Sequence, residues 1–121
     1  MRDALALLAL CWIAFAAASA GAHGLLDRSQ PAAGATVAAS TGQVLLWFTE
    51  KIEPAFSAVQ VWDASGARVD HADAQGDPSD PTALRVTLGT LTPGTYRVHW
   101  KVLTADTHAT EGEFRFQVAA H

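Results

Sequence analysis

Two of the five histidines stand where a neighbouring group can share their chemistry. His108 closes the run Thr104-Ala105-Asp106-Thr107-His108, and His23 follows the small residues Ala20-Gly21-Ala22. In an extended strand, residues two apart share a face, so this spacing sets the Asp106 carboxylate beside the His108 imidazole. Taken alone, such a pair reads first as a structural hydrogen bond, because strand parity seldom survives into a loop. His23 adds a second consideration. As the first residue of a processed chain it offers its α-amine and its imidazole Nδ1 to one metal ion, in a six-membered chelate. An α-amine, which ordinarily titrates at about 7.7–8.0, gives up its proton for coordination far more cheaply than a lysine. The plain alternative is a histidine left at that point by chance. Together these residues supply two imidazoles, an amine and a carboxylate. Cu(II) takes nitrogen and oxygen donors of this kind in a tetragonal plane and tops the divalent affinity order. Zinc accepts the same donors, so the donor set does not by itself choose the metal. The other histidines read as surface residues: His99 solvated beside Arg97 and Lys101, His71 in an acidic run, and His121 at the end.

The chelate at His23 depends on a leader. Arg2 precedes an apolar run from Ala4 to Ala18, and small residues continue through Ala22. That layout predicts a secretory signal peptide over residues 1–22, cleaved to leave a mature domain over 23–121. The run is alanine-rich and about 15 residues long, short of the roughly 20 that span a bilayer, so no membrane span is expected in the mature form. Cys11 is the only cysteine and Met1 the only methionine. Leu10 stands before Cys11 where lipid attachment wants a small residue, so Cys11 is expected to leave with the leader. The mature chain then has no disulfide, no zinc-thiolate site and no soft ligand for Cu(I). Arg2 and Asp3 cancel, so the formal charge of −4 belongs to residues 23–121. That mild acidity argues against nucleic acid and anionic lipid as partners.

Short strands must position these residues. Gln43–Thr49, Ala58–Asp63, Ala83–Leu88, Thr95–Thr104 and Glu113–Val118 are rich in β-branched and aromatic residues, and several alternate apolar with polar. Leu25–Gln30 and Arg68–His71 are weaker candidates. Pro31-Ala-Ala-Gly34, Asp63-Ala-Ser-Gly66 and Pro93-Gly94 supply turns between them. About seven strands in this length predict an all-β sandwich. Alternation puts Tyr96, Val98, Trp100 and Val102 on the inner face and Arg97, His99 and Lys101 outside. Continued through Thr104, the same parity would carry Asp106 and His108 at the end of the core face. The run Asp70–Pro81 reads as a solvated acidic loop, since its carboxylates lack the spacing and closing glutamate of a calcium loop.

The sequence also resembles the CopC-type periplasmic copper-resistance proteins, including their YobA-like members. The resemblance rests on His23, Ser29-Gln-Pro31-Ala-Ala-Gly34, Trp47-Phe-Thr-Glu50, Leu91-Thr-Pro-Gly-Thr-Tyr96-Arg-Val-His-Trp100, and Thr104-Ala-Asp106-Thr-His108-Ala-Thr-Glu-Gly112-Glu-Phe114-Arg-Phe116. It implies an immunoglobulin-like Greek-key β-sandwich or barrel that binds one Cu(II) ion through His23, Asp106 and His108. Glu50 matches a glutamate near that site and is expected to orient or hydrogen-bond a ligand, against the alternative of a surface glutamate after a strand. The resemblance implies a periplasmic, non-enzymatic role in copper resistance or homeostasis, with a CopD-like inner-membrane protein as partner. The methionine-rich segment of the founding members is missing, which points to a binder of Cu(II) alone. Two rival readings remain: a copper-dependent oxidative enzyme built on an N-terminal histidine chelate, and a metal-free immunoglobulin-like interaction module.

Overall fold

A computed structural model describes residues 25–120; the leader expected over 1–22, His23 and His121 lie outside the described residues. The described chain forms β1 (Leu26–Gln30), β2 (Thr36–Val37), β3 (Gln43–Phe48), β4 (Ala58–Trp62), β5 (Gln75–Asp77), β6 (Asp80–Thr87), β7 (Gly94–Leu103) and β8 (Ala109–Val118). A single 3₁₀ turn spans Pro54–Phe56. Among the described residues, no helix is long and apolar enough to cross a membrane.

The strands form two four-stranded sheets, ordered β1-β3-β6-β5 and β2-β8-β7-β4. β1 and β2 are one edge strand divided between the sheets, with the turn at Pro31–Gly34 between them. Gly34 takes φ +79°, a conformation that costs glycine little, and donates its N–H to the Arg115 carbonyl at 2.7 Å. Counted that way there are seven strands, in the ABED and CFG arrangement of the immunoglobulin sandwich. The expected all-β Greek-key sandwich is the observed one.

Each sheet turns one face inward. Tyr96, Val98, Trp100 and Val102 are buried on β7, facing Val44, Leu46 and Phe48 of β3 and Leu84 and Val86 of β6. Trp100, 1% exposed, meets Phe48 edge to face at 5.1 Å. Alternation therefore reads these strands correctly as far as Thr104, which is also buried. Three expectations change. Arg68–His71 forms only isolated bridges, Arg68 to Trp62 and Asp70 to Leu88. The acidic run is not wholly loop, because Gln75–Asp77 pairs with β6. β8 begins at Ala109, four residues before the expected Glu113, and pairs with β7 throughout, from Leu103↔Ala109 to Gly94↔Val118.

Two polar anchors tie the loops down. The Tyr96 hydroxyl donates to the Thr92 carbonyl at 2.6 Å and accepts from the Thr92 N–H at 3.1 Å. This closes the turn into β7 like the tyrosine corner of immunoglobulin folds. The ring stacks on Phe116 at 5.5 Å. Asp70 is the second anchor, its side chain wholly buried. Burial alone would raise its pKa. The Arg68 guanidinium, with Nη2 at 2.9 Å, and the backbone N–H groups of Val61 and Ala72 outweigh that and hold it below the usual carboxylate range.

Tyr96→Phe removes one hydroxyl and strands two backbone groups. It should cost about 1–3 kcal/mol in chemical denaturation; an unchanged midpoint would show that the corner is decorative. For Asp70 the sign follows from a depressed folded pKa. The stabilisation is fully present above the unfolded pKa of about 3.9 and is lost as pH falls through the folded value. The stability gap between wild type and Asp70→Asn should therefore be constant near neutrality and close below about pH 4. A gap independent of pH down to full acid unfolding would contradict this.

Candidate metal centre

The chain reverses between β7 and β8 in a tight turn over Ala105, Asp106 and Thr107. The Thr104 N–H donates to the His108 carbonyl and the Thr107 N–H to the Thr104 carbonyl, both at 2.9 Å. Thr107 takes φ +73°, in the left-handed region. A type I turn followed by one left-handed residue is a common three-residue hairpin connection. That last position suits glycine, and a β-branched residue there is strained, a feature that collects at functional sites.

This turn overrides the parity expected of Asp106 and His108. Both side chains point to solvent, 61% and 81% exposed, and do not continue the core face. The turn nevertheless brings them together, with His108 Nδ1 3.5 Å from Asp106 Oδ1. Beneath them, the Thr104 hydroxyl donates to Asp106 Oδ1 and accepts from the His108 N–H at 3.0 Å. The bond from Thr104, helped by the nearby His108, outweighs desolvation and holds the Asp106 carboxyl below its ordinary range.

The connection after β3 is laced to the same turn. The Ala105 N–H donates to the Lys51 carbonyl at 2.9 Å, and Ile52 bridges Thr104. Thr49, Glu50, Lys51, Thr82, Ala105 and Asp106 thereby line one open cleft of about 510 Å³. Glu50 and Asp106, far apart in sequence, both border it. The first described residue, Leu25, is at this end too, its carbonyl accepting from the Thr49 N–H at 2.9 Å.

Among the described residues, no group of three or more His, Cys, Asp and Glu side chains is placed to hold a metal. The turn offers two donors, an anionic oxygen and an imidazole, and both suit Cu(II) or zinc. His23 lies outside the described residues.

The remaining described histidines have other partners. His99 is expected to be simply solvated, but its side chain is 32% exposed and its Nε2 lies 2.9 Å from Glu111 Oε2. His71 Nδ1 lies 2.8 Å from the Thr87 hydroxyl, which donates to Asp73 at 2.6 Å. Thr87 closes β6 at the end remote from the cleft. Sequence reasoning overlooks Thr104, whose burial is legible from alternation but whose hydroxyl contacts depend on the turn. A second cleft, about 490 Å³ and lined by Asp63, Arg97 and Arg115, lies at the opposite end of β7 and carries no donor cluster.

Comparison with known proteins agrees with this fold. The family model of the CopC domain matches residues 26–119. Protein YobA of Escherichia coli (strain K12) is 34% identical over 119 residues, which cover 98% of this chain and 94% of that protein. Copper resistance protein C of Xanthomonas campestris pv. juglandis is 38% identical over 109 residues, 85% of each chain. The crystal structure of CopC from Methylosinus trichosporium OB3b superposes with a TM-score of 0.75 at 35% identity, covering 82% of this chain and 96% of that one. A sandwich of this connectivity, matched along nearly its whole length in sequence and in space, places the chain in the CopC family.

Proposed function

We propose that this protein holds one Cu(II) ion in the periplasm and either buffers it or passes it to a CopD-like inner-membrane protein. The ligands in this reading are the α-amine and imidazole of His23, the Asp106 carboxylate and the His108 imidazole. The observation that carries it is the convergence of Asp106 and His108 at the end of the sandwich where the chain enters. Leu25 is hydrogen-bonded to Thr49, beside Glu50 on the cleft rim. His23 is two residues away along the chain, a tether of at most about 7 Å. A relative named for copper resistance supports copper as the metal.

Four features of the chain refine the reading. Cleavage after Ala22 frees the His23 amine, which in the precursor is an amide joined to Ala22 and a poor ligand. Beyond Met1 and Cys11 the sequence has no methionine or cysteine, so no soft donors favour Cu(I). Asp106 adds an anionic oxygen, which stabilises the higher oxidation state and suits storage and transfer better than redox turnover. Glu50, which lines the same cleft as Asp106, orients a ligand or hydrogen-bonds it.

A variant series on protein beginning at His23 tests these assignments, using Cu(II) titration against a competing chelator and electron paramagnetic resonance. Wild type should bind one ion per chain. His108→Ala should weaken binding by at least tenfold, while His99→Ala and His71→Ala leave it unchanged. Glu50→Gln should keep the stoichiometry and lose about 10–100-fold in affinity, the range typical of groups that support a ligand. Equal losses at His108, His99 and His71 would contradict the site, and complete loss in Glu50→Gln would make Glu50 a ligand.

A further inference from the structure

We infer that Thr104 is the positioning residue of the metal centre, its one hydroxyl setting both the Asp106 carboxylate and the start of the His108 strand. The inference rests on the copper reading above. Thr104 is 2% exposed, a buried polar residue among the apolar side chains that form the core. A valine would fill that space equally well, so the hydroxyl needs another reason to be there.

Its contacts supply one. Oγ1 donates to Asp106 Oδ1, accepts from the His108 N–H at 3.0 Å, and lies 3.2 Å from the His108 carbonyl. A hydroxyl has a single proton, and a carboxylate is the stronger acceptor, so the proton belongs to Asp106. Asp106 Oδ1 is then held by that bond and also faces His108 Nδ1 at 3.5 Å. The same hydroxyl holds the backbone from which His108 projects. One buried atom thus holds the Asp106 carboxylate and the backbone that carries the His108 imidazole.

Turn closure does not account for these bonds. The hairpin already closes on backbone hydrogen bonds from Thr104 to His108 and from Thr107 to Thr104. The anchor is stiff at both levels. The Thr104 backbone bridges Ile52 on the neighbouring connection, and a β-branched side chain is restricted at χ1. Asp106 and His108, both largely exposed, have no comparable packing of their own. Pre-orienting them spares the ion the entropy of ordering two free side chains.

The test uses protein beginning at His23 with Thr104→Val, which keeps the shape, and Thr104→Ser, which keeps the hydroxyl. Metal-free thermal unfolding, Cu(II) affinity by chelator competition and the paramagnetic resonance spectrum are measured for each. Thr104→Val should fold, lose about 10–100-fold in Cu(II) affinity and give altered copper hyperfine splitting. Thr104→Ser should recover most of the affinity and the wild-type spectrum. Should Thr104→Val fail to fold, Thr104→Ala carries the same expectation with a smaller side chain. Wild-type affinity and spectrum in a folded variant without the hydroxyl would overturn the positioning role and leave the copper reading standing. Equal loss in the serine variant would also overturn it, because shape and not the hydroxyl would then set the site. Absence of Cu(II) binding by wild type would remove the copper reading itself, and this inference with it.

Discussion

The pairing of β7 with β8 sets the position of almost everything else in the molecule. Its register runs unbroken from Gly94 opposite Val118 to Leu103 opposite Ala109. A slip of one residue would turn Trp100, Val98 and Phe116 outward and the charged row inward, so burial of those rings enforces the register. The register in turn fixes where the hairpin reverses, and the reversal holds Asp106 and His108. Candidate ligands at the tip of a hairpin would ordinarily be mobile. Here the tip is tied below by Thr104 and from the side by Lys51 and Ile52.

The two ends of this hairpin have different tasks. At the entry to β7, Tyr96 bonds both backbone groups of Thr92 and stacks on Phe116, which closes the sandwich without a disulfide. At the other end the polar groups face outward into an open cleft. Exposure of His108 and Asp106 would suit the proposed release of an ion to another protein, since a partner could reach the two side chains without unfolding the core. Rigid support beneath exposed donors would reconcile firm binding with access in that proposal.

Much of the fold is legible in the sequence because β7 states its period plainly. Tyr96, Val98, Trp100 and Val102 alternate with Arg97, His99 and Lys101, and their burial follows that pattern. β2 and β5 escape a reading of the sequence for a physical reason: two or three residues carry no measurable period, and their pairing is decided by neighbours distant in sequence. The site is legible in part. Spacing singles out Asp106 and His108, but by extending a strand that in fact ends in a turn with Thr107 left-handed. The pair meets through that turn and not through parity. The Glu111 partner of His99 and the hydroxyl contacts of Thr104 depend on register and turn geometry, which a single sequence does not display. Glu50 is reachable only by resemblance, since nothing local in Trp47-Phe-Thr-Glu50 predicts that it shares a cleft with Asp106.

In the proposed metal centre the last donor is the His23 amine, which cleavage of the expected leader would free. Its part in the site is tested most directly by comparing protein that begins at His23 with the same protein carrying one additional N-terminal alanine. Every side chain of the site is retained in both, and only the free amine is displaced. The extended protein should bind Cu(II) far more weakly and give a different paramagnetic resonance spectrum. Identical affinities and spectra for the two would contradict the account and leave the His23 amine without a part in the site.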